Sequence, residues 1–132
     1  MANLQILLKQ HIGAPCEAIV KVNDRVKKGT LIATPTGLGA NIFSSAYGTV
    51  TQVTEDRIII KPDAEQKDEF VPIEAGSKLE MVKAAGIVGM GGAGFPTGVK
   101  LGADLKGGYI LVNAVEYISV ELSSRTAYFC YI

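Results

Sequence analysis

Metal-ligating side chains are scarce in this chain, which has two cysteines and one histidine among its 132 residues. Cys16 and Cys130 are far apart in sequence, and neither belongs to a C-x-x-C cluster. The chain alone therefore offers no iron–sulfur or zinc ligand set, because such sites use several closely spaced ligands. We expect both thiols to be reduced and partly buried, as in a cytosolic protein. We expect His11, near the start of the chain, to be an ordinary surface residue rather than a catalytic one.

An excess of charge of one sign and long apolar runs are also lacking. Lys+Arg and Asp+Glu both number 13, so the net charge is +0 and no nucleic-acid-binding surface is indicated. No apolar run reaches the roughly 18 residues of a membrane span, and no signal-peptide pattern is present. We therefore expect a cytoplasmic protein, and the 48% hydrophobic content supports a packed core. The length suits one modest domain, or one small domain and part of another.

Residues 1–73 predict a β module. Four segments rich in Val, Ile and Thr are separated by turn residues, which predicts short strands at 18–22, 30–34, 48–53 and 57–61. The polar, acidic stretch 62–76 that follows is typical of a linker.

A glycine-rich loop is the most informative motif. The sequence G-I-V-G-M-G-G-A-G-F-P-T-G-V-K, residues 86–100, has six glycines within positions 86–98. Glycine lets backbone N–H groups approach a ligand closely, and such groups bind anions. Lys100 lies about one turn past Pro96 on any helix that starts there, within reach of a phosphate. The alternative, a flexible turn, does not explain the apolar residues among the glycines.

The spacing of Gly89, Gly91 and Gly94 satisfies G-x-G-x-x-G, but the order of elements around it is not that of a dinucleotide fold. A helix is predicted before the loop at 77–85, where Ser77 and Glu80 form a capping box. A short helix at 97–105, a glycine turn and a strand at 109–113 are predicted after it. Because the dinucleotide fingerprint needs a strand before the loop, a nucleotide loop of another type is favoured.

The same residues resemble a known family. The stretch G-M-G-G-A-G-F-P-T-G-V-K, 89–100, resembles the flavin loop of the NADH-binding subunit of respiratory complex I. The longer stretch A-G-I-V-G-M-G-G-A-G-F-P-T resembles the Rnf-complex C subunit, the cobalamin reductase of propanediol utilisation and the electron-transfer partner of proline reductase. Segments 11–16, 20–33 and 42–50 also resemble the Rnf-complex C subunit, so the likeness covers most of residues 11–116.

Residues 20–50 also resemble the barrel-sandwich hybrid fold of biotinyl and lipoyl carrier domains. Those carriers need an exposed hairpin lysine, and this chain has none between Gly29 and Ile60. We therefore expect a docking module rather than a swinging arm. The predicted fold class is mixed β and α/β: a barrel-sandwich hybrid at 1–73, then the start of an α/β nucleotide-binding domain at 77–132.

The resemblance implies the N-terminal portion of an electron-transfer flavoprotein that moves electrons from NADH through FMN to iron–sulfur centres held elsewhere. It implies no catalytic side chain and no metal ligand in this chain, and it implies other subunits of a redox complex as partners, at a membrane's cytoplasmic face. The implied FMN- and NADH-binding residues are Gly89, Gly91, Gly92, Gly94, Phe95, Lys100, Asn113 and Glu116. The alternative is a non-catalytic scaffold or docking module of a larger redox complex.

The sequence departs from the family after residue 116. The family continues N-A-x-E-C-E-P, whereas here 113–116 match and Tyr117, Ile118 and Ser119 follow. On a gapped alignment Cys-Glu-Pro is missing and Tyr117-Ile118 rejoins the pattern; either way the second acidic group is absent. We expect a fragment or a frame-altered product that does not oxidise NADH alone, with an apolar tail at 117–132 that packs on 77–113 or forms a homo-oligomer.

Overall fold

Seven short strands in two antiparallel sheets, and two helices, are present in the computed structural model, which describes residues 2–109. The elements are β1 (Leu4–Leu7), β2 (Cys16–Ala18), β3 (Arg25–Val26), β4 (Leu31–Pro35), β5 (Ile42–Phe43), β6 (Gly48–Val53), β7 (Arg57–Pro62), α1 (Lys78–Ala84) and α2 (Thr97–Leu101). One sheet has the strand order β1-β7-β6-β3 and the other β2-β4-β5. The two helices follow the strands.

The core forms between the two sheets, because both contribute buried apolar side chains. Val50, Ile58 and Ile60 of the first sheet are fully buried, while Ile59 between the last two is only half-buried. This alternation along the strand is what β-branched residues favour on a pleated surface. In the second sheet the neighbours Ile32 and Ala33 are both buried, at a point where the register between β4 and β5 shifts. A two-sheet module of short strands agrees with the barrel-sandwich hybrid that the sequence predicted.

Two of the predicted strands are confirmed and two are displaced. β6 and β7 lie where the pattern placed them, and β4 begins one residue late. The strand predicted at 18–22 was wrong, since β2 ends at Ala18. A turn begins soon afterwards: the Asp24 carboxylate accepts the Lys21 N–H at 2.7 Å, and Asn23 has a left-handed φ of 75°. β1, which pairs with β7, was not predicted.

The acidic stretch after β7 has no helix or strand in the described residues 63–76, as the linker prediction required. It is nevertheless hydrogen-bonded to the β module. The Tyr47 hydroxyl donates to Glu69 O at 3.0 Å, the Val71 N–H donates to Lys28 O at 2.8 Å, and Gln66 bonds both backbone groups of Tyr47. Because these bonds recur along the segment, it lies along the module as an ordered strap.

The predicted capping box at the start of α1 is confirmed. The Ser77 hydroxyl accepts the Glu80 N–H, and the Glu80 carboxylate accepts the Ser77 N–H. α2 is shorter than the predicted 97–105, because Gly102 takes the C-cap position, and glycine favours helix ends. No helix within residues 2–109 is long and apolar enough to cross a membrane.

The chain divides into two units, Met1–Gly102 and Ala103–Ile132. The described part of the second unit contains the predicted glycine turn, in which the Gly108 N–H donates to Leu105 O at 2.7 Å. The predicted strand 109–113 lies outside the described residues except for Tyr109. The division predicted between residues 73 and 77 stays a prediction.

Candidate functional site

The glycine loop has a closed base. The Gly89 N–H donates to Phe95 O at 2.9 Å, and the Thr97 N–H donates to Ile87 O at 2.9 Å. Val88 and Pro96 pair as an antiparallel bridge between these two bonds. Residues 89–95 therefore form a loop closed by a short ladder, which is the geometry of a built loop rather than of a flexible linker.

The glycines of the loop serve two different purposes. A Cβ at Gly91 or Gly92 would meet no atom within 4 Å, and within the described residues neither N–H donates to a backbone acceptor. Gly94 is buried, with φ +68°, and a Cβ there would lie 3.1 Å from the Cα of His11. Packing thus requires glycine at position 94, whereas nothing in the described fold requires it at 91 and 92. Free backbone donors and open space are what an anionic ligand needs.

Lys100 and Phe95 stand beside the closed base. The Lys100 ammonium lies 5.7 Å from the centroid of the Phe95 ring, and 3.6 Å from where a Cβ on Gly89 would be. Such a cation over an aromatic face is favourable by about 0.5–1 kcal/mol at an exposed site. Phe95 is half-buried and Lys100 exposed. The structure therefore brings the predicted residues 89–95 and Lys100 together.

The other two predicted site residues, Asn113 and Glu116, lie outside the described residues. A cleft of about 340 Å³ lies next to the loop's base and does not include residues 89–95. It runs between the β4–β5 connection and the two helices, and the Asn41 amide crosses it to donate to Ala84 O at 3.1 Å. The cleft thus marks where the β module and the helices meet.

Comparison with known proteins decides the family. The family model described as "RnfC Barrel sandwich hybrid domain" matches residues 1–77, more than half of the chain. The chain belongs to the Rnf-complex C subunit family. A second model, "Nuo51 FMN-binding domain", matches residues 82–121 and so includes the whole glycine loop. This second match extends past Tyr117, where the sequence motif is interrupted.

Curated relatives from three bacteria align with nearly all of this chain. It is 36% identical to the C subunit of the proton-translocating ferredoxin:NAD(+) oxidoreductase complex of Clostridium ljungdahlii, with 90% of this chain and 31% of that protein aligned. It is 39% identical to the C subunit of the ion-translocating oxidoreductase complex of Rhodobacter capsulatus, with 87% and 26% aligned. For the protein of the same name in Serratia proteamaculans the identity is 32%, with 88% and 20% aligned. The chain thus spans between a fifth and a third of the length of these relatives.

His11 is the residue that sequence reasoning misjudged. It was expected at the surface, but only 7% of it is exposed. Its ring bonds the backbone of Ile12 and Ala40, and Gly94 packs against its Cα. The burial arises from the β4–β5 connection and the glycine loop, which are remote in sequence. A local pattern around one histidine carries no signal for such contacts.

Cys16 is buried beneath that ring. Its sulfur lies 3.5 Å from His11 Nε2 and 3.3 Å from Ala40 O, which accepts the thiol proton. Burial raises the pKa of this thiol above its ordinary value. Cys16 is more deeply buried than the partly buried thiol that was expected, and Cys130 lies outside the described residues. A thiol whose pKa is raised is a poor nucleophile, so Cys16 belongs to the packing.

Proposed function

We propose that this chain is the N-terminal portion of an electron-transfer flavoprotein of the Rnf-complex C subunit family, and that its glycine loop binds the phosphate and ribose of FMN. One observation carries the proposal. Within residues 2–109, Gly91 and Gly92 face open space and their N–H groups donate to no backbone acceptor, in the stretch that matches the FMN-binding family model.

The loop's chemistry fits a phosphate. Backbone N–H groups donate to phosphate oxygens without adding bulk, and the Lys100 ammonium beside Gly89 supplies an opposite charge. Gly91 and Gly92 would lie closest to the ligand, since a side chain there would fill the space that it needs. Gly94 would not contact the ligand; its lack of a side chain would allow the loop to pack on the β module. Phe95 would pack its exposed edge against the nucleotide.

The remaining flavin contacts are proposed for the second unit. Asn113 and Glu116 would hydrogen-bond the flavin, and residues 77–132 would form the start of an α/β nucleotide-binding domain. In the whole protein a bound FMN would supply the hydride acceptance from NADH and the release of single electrons to iron–sulfur centres. The partners would be other subunits of a redox complex at the cytoplasmic face of a membrane.

A comparison of two flavins tests the loop assignment. FMN and riboflavin differ by the phosphate alone, so a loop that holds the phosphate binds FMN more tightly. The full chain is titrated with each, and the change in flavin fluorescence is followed. We expect FMN to bind roughly tenfold or more tightly than riboflavin, as for a charge-assisted hydrogen bond. Equal affinities, or binding of neither, would contradict the proposal.

The runner-up is a non-catalytic docking module, and one observation favours it. An apolar groove of about 400 Å³ lies between the strap that follows β7 and α1, and its walls include the exposed side chains Phe70, Val71, Ile73 and Met81. Such a patch is common at sites of protein association. A purified chain that shows no flavin absorbance and binds neither added FMN nor added NADH would favour this function over flavin binding.

A further inference from the structure

The structure assigns a role to His11: it is a positioning residue that fixes the glycine loop on the β module. Its effect on FMN rests on the proposed function, whereas its effect on the order of the loop does not. In sequence, His11 lies between Leu8, which belongs to the core of the sheets, and Cys16 at the start of β2. In space, Gly94 of the glycine loop packs on its Cα. His11 therefore stands at the boundary between the β module and the loop.

The ring is held in one orientation by backbone groups of the β module. The Ala40 N–H lies 3.1 Å from Nε2 and Ala40 O lies 3.3 Å from the same nitrogen, so the tautomer decides which of the two groups Nε2 bonds. Nδ1 lies 3.1 Å from Ile12 O and donates to it when it carries the proton. In that tautomer Nε2 accepts from the Ala40 N–H, and both ring nitrogens are bonded to the backbone, so neither is left to offer a ligand. His11 is accordingly a positioning residue and not a catalytic one.

The same short segment carries the loop. The Ile12 N–H donates to Ala93 O at 2.8 Å, between the open glycines and Gly94. Gly94 then packs on the backbone of His11, with space only for a hydrogen where a Cβ would stand 3.1 Å from the His11 Cα. The orientation of the ring sets the position of Ile12, and Ile12 bonds the loop. Fixing the ring thus fixes residues 93 and 94.

The opposite side of the ring is also shaped for it. A Cβ on Gly39 would lie 2.6 Å from His11 Cε1, so the β4–β5 connection admits the imidazole only because residue 39 is glycine. The Cys16 sulfur closes the remaining side at 3.5 Å from Nε2. Contacts on three sides leave the ring no second position.

Amide hydrogen exchange of the full chain without flavin tests the inference directly. His11→Phe keeps a ring but removes both nitrogens, whereas His11→Gln keeps an acceptor near the position of Nε2. We expect His11→Phe to speed exchange about tenfold at the two hydrogen-bonded amides, the Ile12 N–H and the Gly89 N–H, the effect of one lost hydrogen bond, and His11→Gln to restore most of the protection. Val26→Ala, a core change in β3, is the matched control: it should lower the melting temperature without selective exchange in the loop.

Two results would overturn the assignment. The first is an equal rate of amide exchange in the loop of His11→Phe and of Val26→Ala when the two variants are equally stable. The ring would then be only a core residue. If His11→Phe does not fold, Gly39→Ala replaces it, because the added methyl displaces the edge of the ring. The second overturning result is an unchanged rate of amide exchange in the loop of Gly39→Ala. FMN titration is a separate measurement. A wild-type chain that binds no FMN would defeat the proposed function, while the exchange data would still decide the role of His11.

Discussion

At the scale of single residues, the described fold requires glycine at one position of the loop and leaves it unexplained at two others. Position 94 has a left-handed φ and a neighbour at 3.1 Å, so the fold itself demands glycine there. Gly91 and Gly92 have neither a positive φ nor a close neighbour within the described residues. Their identity is best explained by something that must approach the backbone. This difference allows folding and binding to be separated by mutation.

Gly92→Val is expected to leave the fold intact and to block the ligand. Because its side chain would enter open space, the free energy of unfolding should change by no more than about 0.5 kcal/mol. FMN affinity should fall by roughly tenfold or more, equivalent to about 1.4 kcal/mol. Chemical denaturation and FMN titration measure the two effects.

Gly94→Ala is the matched control for Gly92→Val. At a left-handed φ, alanine should lose about 1–2 kcal/mol of stability. A Gly92→Val chain that binds FMN normally would show that the open face of the loop is not the binding surface.

Lys100→Ala should weaken FMN binding in a way that depends on salt. The ammonium at the loop's base would lose its charge-assisted bond to phosphate, which corresponds to about 1–3 kcal/mol. Because Lys100 is exposed, the difference between wild type and variant should shrink as salt is raised. Lys100→Arg keeps the charge and should bind at nearly the wild-type level. Riboflavin, which lacks the phosphate, should bind all three chains alike; an equal loss for riboflavin argues against a phosphate contact.

At the scale of elements, features set by neighbouring residues were predicted well, and features set by residues remote in the chain were not. The capping box of α1 depends on Ser77 and Glu80 alone, and the sequence predicted it correctly. β1 was missed because its partner, β7, is remote in the chain: Leu7 pairs with Arg57. The strand predicted at 18–22 was wrong because the pairing of β2 with β4 ends at Ala18 and a turn follows at Asn23, despite the Val and Ile content. The glycine loop was located in the sequence from its composition, but its packing on His11 could be found only in the folded structure.

The turn between β6 and β7 should weaken in acid. Hydrogen bonds from Arg57, and then from the Thr54 hydroxyl, lower the pKa of Asp56 from 3.8 to about 2. Because the folded pKa is depressed, the stabilisation is present above pH 3.8 and is lost as the pH falls from 3.8 towards 2. Arg57 also bonds Gln5 of β1, so the turn helps to hold that edge strand.

Asp56→Asn tests this pH dependence. The variant cannot titrate at position 56, so its free energy of unfolding should fall less steeply than that of the wild type between about pH 4 and pH 2. Thermal melts at several pH values give the slopes. Glu55→Gln, a neighbouring exposed carboxylate, is the control and should keep the wild-type slope; equal slopes for wild type and Asp56→Asn would contradict the account.

At the scale of the whole molecule, the first unit joins the β module, both helices and the glycine loop. The sequence predicted short strands from segments rich in Val, Ile and Thr, and the family from its resemblance in the glycine motif and the segments before it. It did not predict that His11 connects the β module and the glycine loop, because a buried histidine is produced by tertiary contacts on three sides. The connection leads to a thermodynamic prediction: a ligand on the loop should be coupled to the stability of the sheets.

FMN should therefore stabilise the β sheets and not only the loop that binds it. A ligand that binds only the folded state adds about 2.7 kcal/mol at a concentration of about 100 times its Kd. Since the loop is bonded to Ile12 and packed on His11, that gain should appear in unfolding followed by the far-ultraviolet signal of the strands. In His11→Phe the gain in the strand signal should be smaller at equal saturation with FMN. If saturating FMN leaves the melting of the wild-type strands unchanged, the loop and the β module unfold independently, and the coupling through His11 does not exist.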